Sequence, residues 1–270
     1  MEILVLWISY ALLGLFAGVV AGLLGVGGGL IMVPILAGLF AGQGFAAQHL
    51  MQLAVGTSLA TIVFTSLSSM RAHHRRGAVN WLVMRQLSIG IVLGGWLGGV
   101  LAVWLGGLLL AALFGVFELV VAAQMAFGRP PAPHRTRPGR LRNLVSGLLV
   151  GAVSALLGIG GGTLTVPYLV WHNVDMRQAV GTSAACGLPI ALVGALGFAV
   201  VGWDQADLPA GSSGYLYWPA VVAISVTSVL GAPMGAWLAH RLQHQRLKST
   251  FAGFLAVLGV FMIGKSLLGF

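Results

Sequence analysis

Two short stretches hold the residues best suited to chemistry. LLGVGGGLIMVP runs from Leu23 to Pro34, and LLGIGGGTLTVP runs from Leu156 to Pro167. Each sets a glycine run inside an apolar segment: Gly25, Gly27, Gly28 and Gly29 in the first, Gly158, Gly160, Gly161 and Gly162 in the second. Every such glycine costs about 1 kcal/mol relative to alanine in a helix interior. Runs of this kind break a helix. A helix that restarts after the break exposes free backbone N–H groups and about half a positive charge at its N-terminus. Glycine lets those amides come close to an anion. The expected restarts lie near Leu30 and Thr163, with Pro34 and Pro167 close enough to the start to remove little hydrogen bonding.

A second repeated element, VGTS, supplies hydroxyls: Thr57 and Ser58 in the first copy, Thr182 and Ser183 in the second. These groups can replace water around an oxyanion, or cap helices and bond between them. Thr163 and Thr165 follow the second break, but their first-half counterparts are Leu30 and Met32, so any polar role there is one-sided. Glu118 is the one acid inside a clear apolar run. A carboxylate in that setting costs about 3 kcal/mol on insertion scales, so it is neutral, paired or facing a cavity, and it is the candidate coupling group for a proton or another ion.

The elements that must position these residues are membrane helices. The chain has 270 residues, 58% hydrophobic and 7% charged, with a mean hydropathy of +0.98. Soluble domains carry about 25% charged residues, so the bilayer is the solvent here. Backbone groups in lipid must pair internally, which leaves helices or a closed barrel, and the apolar runs of about 20 residues show no period-two alternation. Apolar segments cover roughly 3–41, 50–70, 79–104, 107–127, 144–172, 179–202, 216–240 and 250–269, the first and fifth interrupted by glycines. The net charge of +9 lies in short loops, which excludes a nucleic-acid surface. The single cysteine, Cys186, excludes an internal disulfide. MEILVLW lacks the basic start and cleavage pattern of a signal peptide and reads as a retained span.

The chain is an internal duplication. A shift of 133 lays Gly14–Pro34 on Gly147–Pro167 with 12 of 21 residues identical. A shift of 125 lays Val55–Ala60 on Val180–Ala185. A shift of 137 lays Gly77, Trp81, Gly94 and Gly98 on Gly214, Trp218, Gly231 and Gly235. The expected domains are a transmembrane repeat over 1–127, a basic Pro- and Arg-rich cytoplasmic linker over 128–143, and a second transmembrane repeat over 144–270. Eleven of the 14 Lys and Arg residues fall in three loops near 71–76, 129–142 and 241–248, which the positive-inside rule places in the cytoplasm. The loop 203–214 carries Asp204 and Asp207 and no basic residue, so it belongs outside. Equivalent loops then lie on opposite sides. The fold expected is an all-α polytopic membrane protein of two inverted repeats, each a glycine-broken hairpin followed by three transmembrane helices.

Inverted repeats with interrupted helices are the architecture of secondary transporters, which bind their substrate near mid-membrane. Two opposed breaks would hold a small anion without any buried Lys or Arg. The remaining glycine series, Gly14, Gly18 and Gly22 with Gly90, Gly94 and Gly98, reads as close helix packing. The glycine order and the lack of a preceding strand exclude a dinucleotide loop. RAHHRR (71–76) reads as an interfacial cluster rather than a metal site, and Arg85 as a side chain snorkelling to the interface.

Both GxGGG…VP blocks, both VGTS blocks, SLSSMRAHHRRGAV and the closing GAPMGAWLA resemble the TauE/SafE family, the sulfite-exporter-like transporters also called TSUP, over nearly the whole chain. One departure is Gln52, which precedes LAVGTS where relatives often have His. The resemblance implies a bacterial inner-membrane permease for sulfur-containing anions such as sulfite, sulfoacetate, thiosulfate or related organosulfonates. The residues alone stop at a small anion, moved by alternating access. No P-loop is present, so the energy source would be an ion or substrate gradient, with no cofactor and no enzymatic step expected. The expected binding residues are Gly27, Gly28, Gly29, Thr57, Ser58, Gly160, Gly161, Gly162, Thr163, Thr182 and Ser183. An anion channel of the same architecture and a membrane scaffold or insertion factor are the alternatives, and a homo-oligomer is compatible with the sequence. A Ser/His hydrolase is disfavoured because His49, His172 and His240 fall at span ends.

Overall fold

A computed structural model describes residues 2–25, 27–128, 139–239 and 244–268. Leu-, Val- and Ala-rich runs form helices wherever no glycine cluster or polar loop interrupts them. They are α1 (Glu2–Leu24), α2 (Gly29–Gly42), α3 (Leu50–His74), α4 (Trp81–Trp104), α5 (Gly107–Phe127), α6 (Arg140–Leu157), α7 (Gly162–Trp171), α8 (Met176–Val201), α9 (Trp218–Ala239) and α10 (His244–Leu268). Eight of these are long and apolar enough to cross a membrane; α2 and α7, with 14 and 10 residues, are short. The fold is an all-α polytopic membrane protein. Large apolar side chains cover its outer faces, among them Leu12, Leu93, Trp104, Val226 and Val260. In water such a surface would be a liability; against acyl chains it is the solvated face. Arg129, Arg135, Arg137, His240 and Arg241 lie outside the described residues.

In each half the long helix and the short one after it form a hairpin. The Gln43 side chain, just past α2, donates to Tyr10 Oη near the start of α1 at 2.8 Å. Tyr168 Oη on α7 donates to Asn143 Oδ1 near the start of α6 at 2.7 Å. The short helices begin at Gly29 and Gly162, one residue earlier than expected. Pro34 and Pro167 are therefore the sixth residue of their helices, past the first turn. Each removes the helical donor for the carbonyl four residues back, that of Leu30 or Thr163, a cost the sequence reading did not foresee.

Helix neighbours obey the correspondence between the halves. α1 packs along α9, and its counterpart α6 packs along α4, the counterpart of α9. Both pairs run parallel. Gly14, Gly18 and Gly22 meet Ile224, Ser228 and Ala232 in order, and Gly90, Gly94 and Gly98 meet Leu144, Leu148 and Ala152. A Cβ at any of these six glycines would collide with facing backbone, so small-xxx-small spacing sets the approach of the helices. Equivalent helices instead run antiparallel. In α3 and α8, Gly56 faces Phe198, Leu59 faces Gly194 and Ser66 faces Gly187; in α5 and α10, Leu108 faces Ser266 and Gly115 faces Gly259. α3 is the most enclosed span.

Two features were not expected from the sequence. A two-residue antiparallel pairing, Ser212–Ser213 with Leu216–Tyr217, closes the loop before α9. Its signal was present in GSSGYLY, whose Gly211 and Gly214 both adopt positive φ. His73, read as part of an interfacial cluster, is buried, with its Nε2 3.0 Å from the Gly22 carbonyl at the end of α1.

Candidate functional site: two glycine breaks at mid-height

The breaks meet. A Cβ on Gly27 would lie 2.6 Å from the Gly160 Cα and 3.5 Å from Ile62. One on Gly29 would collide with the Gly158 carbonyl. Ile62 is at the middle of α3, and Gly187, whose Cβ position is 2.9 Å from the Gly160 carbonyl oxygen, is near the middle of α8. The contact therefore sits halfway along the two central helices. Gly28 and Gly161 are the N-cap residues just before the short helices, with φ of 79° and 74° and no side-chain cap. Only glycine holds that left-handed conformation at low cost. The first amides of α2 and α7 consequently have no intrahelical acceptor, and both helices present their positive ends at the centre.

The VGTS blocks act as a paired device whose parts correspond between halves. Ser58 Oγ donates to the Gly158 carbonyl at 3.0 Å, and Ser183 Oγ donates to the Gly25 carbonyl at 3.1 Å. Each serine thus holds the first glycine of the break in the other half. Thr57 Oγ1 accepts from the Tyr217 amide at 3.0 Å, and Thr182 Oγ1 accepts from the Asn80 amide at 2.9 Å. Positions 80 and 217 are equivalent under the 137-residue shift and directly precede α4 and α9. The glycine of each block, Gly56 or Gly181, allows the carbonyl of Tyr215 or Ala78 to approach, and these too are equivalent. All four hydroxyls are buried and partnered with protein. They tie the breaks and the incoming loops to the central helix pair.

Beyond this shared frame the two breaks differ. At the second, Ser154 and Thr165 are fully buried, their hydroxyls have no partner among the described residues, and neither has Thr163 Oγ1. At the first, the corresponding positions are Ala21, Met32 and Leu30. The Met32 methyl and the Ala17 carbonyl border Gly28, and Met32 Sδ accepts from Thr61 Oγ1 at 3.0 Å. Glu118 lies apart on α5, fully buried, with neither carboxylate oxygen partnered among the described residues. Gln52 Oε1 is likewise buried and unpartnered.

The structure therefore brings Gly27 against Gly160 and Gly29 against Gly158, with Ser58 and Ser183 bonded to the Gly158 and Gly25 carbonyls; Gly28 and Gly161 cap α2 and α7, and Gly162 is the first residue of α7. Thr57 and Thr182 lie at the loop ends and Glu118 elsewhere. Ser154, Asn80 and Tyr217 were missed. Asn80 and Tyr217 enter only through their backbone amides, which no side-chain pattern reveals. Ser154 was visible as the polar counterpart of Ala21 in the 133-residue alignment. At the basic end of α3 a groove of about 440 Å³ opens between α3 and α9, lined by Arg71 and Arg75 with Phe64, Leu67 and Pro233.

Comparison with known proteins agrees with this architecture. The family model for the sulfite exporter TauE/SafE matches residues 10–262. A probable membrane transporter protein of Haemophilus influenzae is 36% identical over 255 residues, covering 94% of this chain and 97% of its own. One from Methanocaldococcus jannaschii is 27% identical over 270 residues and covers 97% of both chains. One from Bacillus subtilis is 24% identical over 277 residues, covering 95% and 97%. No solved structure matches. With the family model spanning nearly the whole chain and eight helices fit to cross a membrane, this protein belongs to the TauE/SafE family of membrane transporters.

Proposed function

We propose that this chain is a secondary transporter that exports small sulfur-containing anions such as sulfite, thiosulfate, sulfoacetate or other organosulfonates across a bacterial inner membrane. The two halves are inverted repeats working by alternating access, and the anion binds where the glycine breaks meet. The observation that carries this reading is the meeting of two left-handed glycine starts halfway along α3 and α8, each presenting free amides and a positive helix end. The antiparallel packing of equivalent helices supports the inversion. Arg71 and Arg75 border a groove at the basic, cytoplasmic end, where they raise the local anion concentration on the side from which export begins. A proton is the coupling ion, carried by Glu118, whose carboxylate oxygens have no partner among the described residues. The match to sulfite exporters supplies sulfur; the geometry supports only a small oxyanion.

Purified protein in proteoliposomes tests this. Labelled sulfite on one side should exchange with unlabelled sulfite on the other, saturably and without ATP. Flux that follows the membrane potential with no counterflow would make the protein a channel. Absence of anion flux under any gradient would overturn the proposal.

A further inference from the structure

We infer that the second break alone binds the anion, one per chain, on the first amides of α7 and the hydroxyls of Ser154 and Thr165. The inference rests on the proposed anion transport and names the site at which it occurs. A Cβ built on Gly161 would meet the Ile190 Cδ1 methyl and stand 3.5 Å from Ser154 Oγ and 3.6 Å from Thr165 Oγ1, so both hydroxyls converge on the residue that caps α7. Ser154 is 0% exposed and Thr165 1%, and both oxygens are unpartnered among the described residues. A buried hydroxyl without a partner carries a desolvation cost. Two of them at one helix start, with Thr163 Oγ1 also unpartnered in the first turn, form a donor set made for a ligand.

The first break contains no such set. Ala21, Leu30 and Met32 replace the three hydroxyl residues, so the duplication kept the fold of the break and not its polarity. The Ala17 carbonyl oxygen, 2.9 Å from the Cβ position of Gly28, repels an anion, whereas the polar atoms nearest the Gly161 position are the Ser154 and Thr165 hydroxyls. The first break thus supplies backbone against which the second is packed. Hydroxyl oxygens alone could equally ligate a cation such as sodium. The positive end of α7 and its outward amides oppose that and favour an oxyanion with several acceptor oxygens and no donor of its own.

Calorimetric titration of the purified protein with potassium sulfite, and separately with potassium sulfoacetate, tests the assignment. The expected stoichiometry is one anion per chain, unaffected by sodium. Ser154→Ala and Thr165→Val should each weaken binding by about fivefold or more, the loss of one hydrogen bond to a charged partner. Thr165→Ser should restore most of that loss, and Met32→Leu in the first break should leave affinity within about twofold. Two anions per chain, sodium-dependent binding, or an unchanged Kd in the Ser154 and Thr165 variants would overturn the assignment while leaving anion transport standing. A loss in Thr165→Ser as large as in Thr165→Val would do the same, and this pair decides the matter if Ser154→Ala does not fold. If the unaltered protein binds neither anion, the transport reading falls together with the site.

Discussion

The two serines that hold the breaks are equivalent in sequence but not in strength, and this difference can be measured. Ser58 Oγ gives its proton to a single acceptor, the Gly158 carbonyl at 3.0 Å across 100 residues of chain. Ser183 Oγ shares its proton between the Gly25 carbonyl at 3.1 Å and the Val180 carbonyl of its own helix at 2.9 Å. Both serines are fully buried, so an orphaned partner finds no water in compensation. Ser58→Ala removes a whole cross-repeat bond and strands a buried carbonyl, a cost of about 1–3 kcal/mol. Ser183→Ala removes both arms of a divided bond, but the Val180 carbonyl keeps its helical donor and the Gly25 carbonyl loses only the longer, shared arm, so about 0.5–1 kcal/mol is expected. With about 2–4 °C of melting temperature per kcal/mol for chains of this size class, Ser58→Ala should melt several degrees lower and Ser183→Ala only slightly lower. Thermal unfolding in a fixed detergent reads this order, and amide exchange should accelerate at the second break in Ser58→Ala and at the first in Ser183→Ala. Equal melting temperatures, or a larger loss in Ser183→Ala, would refute the reasoning, because Ser58 makes the undivided bond.

Two further outcomes follow from the proposed orientation and coupling. Cysteines introduced at Gln205 and at Arg76, in a Cys186→Ala background, should react with an impermeant thiol reagent from opposite sides of the membrane; labelling of both from one side would end the inverted-repeat reading. Glu118→Gln should abolish sulfite flux driven by a pH gradient while sparing sulfite–sulfite counterflow, since the amide keeps the size of the buried carboxyl and loses only its ability to take up and release a proton. Flux that still follows the pH gradient in that variant would remove Glu118 from coupling.

Much of the architecture was legible because the bilayer narrows the choices. Long apolar runs become helices, and a glycine cluster inside one becomes a break. The 133-, 125- and 137-residue alignments then identify which residues must have equivalent surroundings. Even the hairpins followed, since residues 3–41 are too long for one crossing. The VGTS hydroxyls show where such reading stops. Threonine and serine at that spacing are donors and acceptors for anything within reach, and the sequence does not contain the distance. The structure assigns Thr57 and Thr182 to backbone amides at positions 217 and 80, and Ser58 and Ser183 to the opposite breaks. Those partners are main-chain atoms 100 or more residues away, with no side-chain signature to mark them.

The duplication itself separates frame from site. Features present in both copies, the left-handed glycines, the VGTS bonds and the packed glycine series, are those that the two halves need in order to fold against each other. A mutation in one copy that left the fold intact was free to change chemistry, and the breaks differ at positions 21 and 154, 30 and 163, and 32 and 165. In one copy these positions are apolar and well packed. In the other they are buried hydroxyls without partners among the described residues, a cost in folding free energy that packing alone would not retain. Symmetry therefore locates the scaffold, and the departure from symmetry locates the residues to test for binding.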